Sequence, residues 1–178
     1  MAKKRKEMNA HEASLLAKIY YQEGLQIITQ SAQKSTQIHE LICRNIVGCT
    51  NLAFACEVAL KVLITSYNGS VSELPNGHYL DVLYKQLCSE LQVAIKYVTV
   101  VKYNESLINS VYTEEMFESD LHKFSKAFEQ SRYWYERDES EPTKEAGILF
   151  ISSLAKALIF LITKVEEAIA IQNNQVPE

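Results

Sequence analysis

Glycine and proline are scarce in this chain, at 5 and 3 of its 178 residues. Tight turns usually draw on one or the other, so a fold of many short strands is excluded. Several familiar signatures are missing. There is no glycine-rich phosphate loop, no H-E-x-x-H and no G-x-S-x-G. The four cysteines, Cys43, Cys49, Cys56 and Cys88, form no C-x-x-C pair, and no His stands beside two of them at a zinc-like spacing. They read as buried free thiols of a reducing compartment, and neither a metal nor another cofactor is expected. Positive charge is not in surplus either. Lys and Arg number 18 against 22 Asp and Glu, a net −4, which argues against a non-specific DNA binder. No long membrane-length run is read: Ser152, Ser153 and Lys156 interrupt the most apolar stretch, Gly147 to Thr163. Its uncharged runs fall short of the roughly 18–20 residues a span needs. The basic start, Lys3 to Lys6, is not followed by the apolar core of a signal peptide. A cytoplasmic chain without membrane contact is expected.

What the chain does have is apolar content arranged with helical period. Hydrophobic residues make up 47% and charged residues 22%, the balance of a folded chain. A length of 178 residues fits one domain. The expected organisation is a basic tail over 1–9, one helical domain over 10–172 and a short tail over 173–178. A first helix, about Ala10 to Ala32, carries Leu15, Leu16, Ile19, Tyr20, Ile27 and Ile28. A second, about Gln37 to Ser66, sets Ile42, Ile46, Cys49, Ala53, Cys56, Leu60 and Leu63 in a 4-3-4-3 rhythm. From Leu41 to Ser66 its only charges are Arg44, Glu57 and Lys61. A helix so apolar on several sides is central to its bundle. A short helix starts near His78, and another runs from Ser89 to about Asn104. A fifth segment, Thr113 to Glu136, repeats Phe117, Leu121, Phe124, Phe128, Ser131 and Tyr135. The last runs from Lys144 to about Gln172. The predicted fold is all-α, an up-and-down bundle of four long helices plus one or two shorter helices.

Three constellations bear on chemistry. In Asn76-Gly77-His78-Tyr79-Leu80, His78 stands at a helix start, where a neutral imidazole can act as a base, hold a nucleotide or simply cap the loop. In Ser131-Arg132-Tyr133-Trp134-Tyr135-Glu136, Arg132 and Glu136 share a helical face beside aromatics. Arg pairs with phosphate and rings stack on bases, while an intra-helix ion pair is the plainer use. Glu57 and Lys61 stand four apart in the order that favours pairing. Two charges in so apolar a helix indicate either a buried pair reaching another helix or the lining of a site. Around Arg132, from Glu105 to Glu145, 11 acids face 5 bases, which weakens phosphate-backbone binding there.

In this order the constellations resemble the HEPN family (higher eukaryotes and prokaryotes nucleotide-binding domains). Asn51-Leu-Ala-Phe-Ala-Cys-Glu57-Val-Ala-Leu-Lys61-Val-Leu-Ile64 resembles the family's apolar second helix with E-x-x-x-K. Gly77-His78-Tyr-Leu80-Asp-Val-Leu83-Tyr84 is similar to its G-H-x-L-x-x-L segment. Phe128-Glu-Gln-Ser-Arg132-Tyr133-Trp-Tyr135-Glu136 is similar to the F-x-x-x-R-Y-x-Y-E stretch of one bacterial branch. The likeness runs from about Asn51 to Leu161. It implies an all-α bundle, usually a homodimer. Many members are metal-independent ribonucleases, often toxins or antiviral effectors, acting through R-x(4–6)-H. Others bind nucleotides or accompany nucleotidyltransferase-fold proteins.

The sequence departs from the family at that last motif. No His follows Arg44, Arg132 or Arg137 at the required spacing, and position 136 is Glu. The one literal match, Arg5 to His11, lies outside the region of likeness. Two readings follow. The first is a HEPN-like protein without the nuclease centre, binding a nucleotide, RNA or a protein partner in a defence or toxin–antitoxin setting. Its ligand would meet Arg132, Tyr133, Glu136, His78, Glu57 and Lys61. The alternative is a divergent metal-independent ribonuclease using Arg132 with His78 or Glu136 as the proton carrier.

Overall fold

A computed structural model describes residues 10–34, 37–68, 78–107, 110–126 and 144–174. Among these, all regular structure is helix: α1 (Ala10–Lys34), α2 (Ile38–Asn68), α3 (Leu80–Tyr84), α4 (Ser89–Asn104), α5 (Glu114–Lys123) and α6 (Lys144–Asn174). The protein is an all-α bundle in which α1, α2, α4 and α6 are the long members and α3 and α5 the short ones.

Helix α2 sits at the centre, as its composition required. Leu52, Ala53, Ala55, Cys56, Ala59, Leu60 and Leu63 are all fully buried. Each buried leucine contributes about 1.5–3 kcal/mol relative to an exposed one. α1 packs antiparallel along α2. Small residues allow the two backbones to meet: a Cβ on Gly24 would fall 2.9 Å from the Gly48 carbonyl oxygen, and one on Gly48 would fall 2.6 Å from Ile28 Cγ1. Ser31 Oγ donates to Asn45 Oδ1 (2.9 Å) nearer the connection between the two helices.

α6 covers another side of α2, burying Phe150, Ile151, Leu154 and Leu158. Both α2 and α6 are long and apolar enough to cross a membrane by length and composition, over Ile38–Tyr67 and Gly147–Ile171. That span in α6 is longer than its uncharged runs indicated. Within the bundle 61% of the most apolar window of α2 and 44% of that of α6 is buried.

Two features go beyond or against the periodicity. The apolar residues Leu15, Leu16 and Ile19 of α1 are 54%, 40% and 45% exposed. The face of α1 turned inward is instead Ala13, Ala17, Tyr21 and Leu25. Of the apolar residues named for this helix, Ile28 packs against the core and Tyr20 meets Phe54, so the inward face mixes small and large side chains. The segment from Thr113 corrects an expectation. α5 starts as expected, with Thr113 as N-cap accepting from the Met116 N–H and acids in the first turn. It ends at Lys123 rather than running on to Glu136. Phe124 leaves the helix with φ −97° and ψ 13°, and its ring seats on Gly147 of α6, where a Cβ would fall 2.7 Å from it. Phe124 also stacks on Phe150 (5.7 Å). The rest of the seam, Phe128, Ser131 and Tyr135, lies outside the described residues.

Tyr112 closes the connection between α4 and α5. Its backbone N–H and C=O both bond the side chain of Asn104 (2.7 and 2.9 Å), and its ring stacks on Tyr103 (3.8 Å). On its outer side α4 exposes Val93, Tyr97 and Val101. The cysteines are free thiols, but only Cys56 is buried; Cys49 is half-buried, and Cys43 and Cys88 are exposed.

Candidate functional site

Three of the candidate residues converge where α2 passes the start of α3. Glu57 projects from the most apolar part of α2 and is 2% exposed. Its Oε1 accepts from Lys61 Nζ one turn on (2.5 Å). Its Oε2 meets Nδ1 of His78 (2.5 Å), which arrives from the chain just before α3. The side chains of Lys61 and His78 are 20% and 40% exposed. The carboxylate is thus sealed in the fold, while its two partners reach toward the surface. A buried carboxylate is tolerated only when its oxygens are matched by donors, and both are matched here.

His78 is not the N-cap of α3. That position belongs to Tyr79, which makes no side-chain cap hydrogen bond. Tyr79 extends the corner outward: Lys126, from the turn after α5, places Nζ 5.0 Å from its ring centre, within cation–π range. The corner therefore assembles a buried acid, two lysines, an imidazole and a half-exposed aromatic ring from three parts of the chain.

A second polar group holds this corner in place. The Leu80 N–H donates to the backbone oxygen of Ser125 (3.0 Å), the Asp81 N–H donates to Ser125 Oγ (3.2 Å), and Ser125 Oγ donates to Asp81 Oδ1. His122 Nδ1 approaches Asp81 Oδ2 at 3.3 Å. Burial pushes the Asp81 carboxyl up. Hydrogen bonds from Ser125, His122 and the Val82 N–H, with Lys85 nearby, outweigh burial and hold it below the usual carboxylate range. Beside it, between α3 and α5, lies an open pocket of about 280 Å³ bordered by Asp81, Lys85, Glu118 and His122. Serine, histidine and aspartate do not form a relay here, because the aspartate stands between the other two. Among the described residues no three His, Cys, Asp or Glu side chains gather as a metal centre requires.

Compared with protein-family models, curated proteins and solved structures, the chain matches none of them.

Arg132, Tyr133 and Glu136 lie outside the described residues, as do Asn76 and Gly77. The structure brings together Glu57, Lys61 and His78, which the sequence offered as two separate constellations. Lys126 and Tyr79 were not singled out in advance. No local pattern marks Lys126; only the fold carries it to Tyr79. Tyr79 had a signal, since it follows His78 directly.

Proposed function

We propose that the chain is a HEPN-like helical protein without the family's R-x(4–6)-H centre, binding a nucleotide, free or within RNA, at the His78 corner. We place it in the cytoplasm as a homodimer, within a defence or toxin–antitoxin system that includes a nucleotidyltransferase-fold or other protein partner. The observation that carries this reading is the meeting of Glu57, Lys61 and His78 on a single carboxylate. These residues belong to two of the three motifs that resemble the family, and their contact gives those motifs a joint purpose.

The chemistry fits an anionic ligand with an aromatic base. Lys61, His78 and Lys126 supply donors against one buried acid, and Asp81, the nearest acid along α3, is engaged by Ser125 and His122. Tyr79 offers a ring for stacking.

Titration of the full-length protein with ATP, GTP and a short single-stranded RNA tests the reading. Binding is expected to weaken about tenfold in His78→Ala and in Lys126→Ala, the loss of one charge-assisted contact each. Lys164→Ala, on the outer face of α6, should leave it unchanged. Absence of binding to the unaltered protein, or equal binding by all variants, refutes the proposal.

One observation favours the ribonuclease reading as well. A carboxylate on Nδ1 is how acid–base imidazoles are commonly oriented. RNA cleavage in the presence of a chelator, lost in both His78→Ala and Arg132→Ala, would establish it over simple binding.

A further inference from the structure

Helix α4 is apolar on every side. Leu91, Ile95, Thr99 and Tyr103 recur every four residues and are buried against the bundle. On the opposite side Val93, Tyr97 and Val101 repeat the same spacing, and they are 61%, 63% and 36% exposed. Ala94, Val98 and Val100 flank them, half-buried. Between Glu90 and Lys102 the single charge is Lys96, which is drawn aside to Glu114 and Glu118 of α5 (3.2 and 3.5 Å). A helix apolar all round is built to be covered all round, and a contiguous exposed apolar patch marks a contact surface. The exposed group on α1, Leu15, Leu16 and Ile19, is shorter, since Gln22 and Glu23 end it within a turn. Charge frames the α4 stripe unequally. At its start stands Glu90, exposed, met by the Ser89 hydroxyl (3.1 Å) and by no cation among the described residues. At its end Lys102 (2.7 Å) and Lys156 of α6 (3.8 Å) share the one carboxylate of Glu105, which leaves one positive charge in surplus.

We propose that the outer face of α4 is the two-fold interface of a homodimer, covered by α4 of a second copy running antiparallel. A two-fold axis at Tyr97 sets Tyr97 on the partner's Tyr97 and Val93 on the partner's Val101, so one stripe supplies both halves of the contact. Glu90 lies seven residues before Tyr97, and Lys102 lies five after it. The antiparallel order therefore brings the acid at the start of each stripe to the surplus cation at the end of the other, twice over. A parallel order sets acid against acid and lysine against lysine. This match of the face to itself is what selects a second copy, because an unlike protein or a lipid surface has no use for opposite charges at equal distance from one centre. Of the function proposed above it rests on the homodimer alone, and no nucleotide enters it.

Sedimentation velocity of the full-length chain, from about 1 to about 200 µM, tests it. The unaltered protein should pass from monomer to dimer within that range. Tyr97→Glu sets two carboxylates at the axis and should weaken the dimer at least about a hundredfold. Glu90→Lys turns two rim pairs repulsive and should weaken it about tenfold, while Glu90→Lys combined with Lys102→Glu should restore it. Tyr97 and Glu90 are exposed, so both single variants should keep the helical circular dichroism of the unaltered chain. If Tyr97→Glu does not fold, the charge reversals at 90 and 102 decide alone. A monomer over the whole range overturns the inference and removes the homodimer from the proposed function, whose nucleotide binding stands on its own titration. A dimer that survives Tyr97→Glu overturns the α4 face and leaves the homodimer standing. A dimer unmoved by Glu90→Lys, or not recovered in the double variant, overturns the antiparallel second copy.

Discussion

Adding two methyl groups at the crossing of α1 and α2 should destabilise the protein, although alanine is the better helix former. A Cβ on Gly24 would lie 2.8 Å from Leu52 Cγ and 2.9 Å from the Gly48 carbonyl oxygen; one on Gly48 would lie 2.6 Å from Ile28 Cγ1 and 3.0 Å from the Gly24 carbonyl oxygen. Alanine gains about 1 kcal/mol over glycine in a helix interior. Overpacking a filled contact costs about 1–3 kcal/mol. Ile28 is only half-buried, so part of the clash at Gly48 can be relieved by its rotation. The Gly48 carbonyl and the fully buried Leu52 facing Gly24 cannot yield in this way. Gly48→Ala is thus expected to be neutral to about 1 kcal/mol destabilising, and Gly24→Ala about 1–2 kcal/mol destabilising. The double variant should lose less than the sum, because separating the helices for one methyl makes room for the other. Urea unfolding measures this directly. A chain of this size also shifts its melting temperature by roughly 2–4 °C per kcal/mol. Thr29→Ala, on the exposed face of α1, is the control and should stabilise by up to about 0.5 kcal/mol. If the double variant gains about 2 kcal/mol, the sum of the two propensities, α1 and α2 do not touch through these glycines and the packing argument is wrong.

Thiol labelling should divide the cysteines in two. Cys43 and Cys88 react at once, while burial pushes the Cys49 thiol up to about 11 and holds that of Cys56 well above the usual thiol range, so both should react slowly until unfolding. Rapid reaction of all four would contradict the burial of α2. The Asp81 carboxyl is depressed in the folded state, so its contribution is complete above the ordinary carboxylate value of about 3.9 and is lost as pH falls through the lower folded value. Ser125→Ala should therefore narrow the difference in urea midpoint between neutral and strongly acid pH; an unchanged difference would show that Ser125 does not hold the carboxylate. Tyr112→Phe removes the bond from the phenol to Asp120 Oδ2 (2.9 Å) and should cost about 1 kcal/mol in the same assay. Burial and the adjacent Asp120 also raise the Tyr112 phenol, so in alkaline absorbance titration it should ionise only with unfolding.

Helices α2 and α6 were legible because their apolar residues recur with helical period over some thirty positions. α5 was legible at its start, where Thr113 and two glutamates announce a cap, and not at its end. The apolar period continues past Lys123, but Phe124 finds a tertiary partner in Gly147, and no local pattern encodes that seat. For α1 the period marked a helix but not its inward face, because apolar residues lie on more than one side and only the neighbour selects among them: Ile28 packs on the core while Leu15, Leu16 and Ile19 stay exposed. At the site, a charged pair inside an apolar helix and a histidine at a helix start were each visible as anomalies. Their contact was not, because it joins residues 21 apart through tertiary packing.

Five residues are too few for a helix to persist by itself, so α3 exists only through its neighbours. It is gripped from two sides: α2 holds the chain two residues before it through Glu57 and His78, and the turn after α5 holds its first two N–H groups through Ser125. Release of either grip loosens the turn, which is then held by the other grip and by the buried side chains of Leu80, Leu83 and Tyr84. The amides of Leu83 and Lys85, bonded to Tyr79 and Asp81, should then exchange with solvent at the free energy of the weaker grip rather than of global unfolding. A ligand that tightens His78 would slow exchange at Leu83 and Lys85, making these two amides a reporter of occupancy at a corner that neither of them touches.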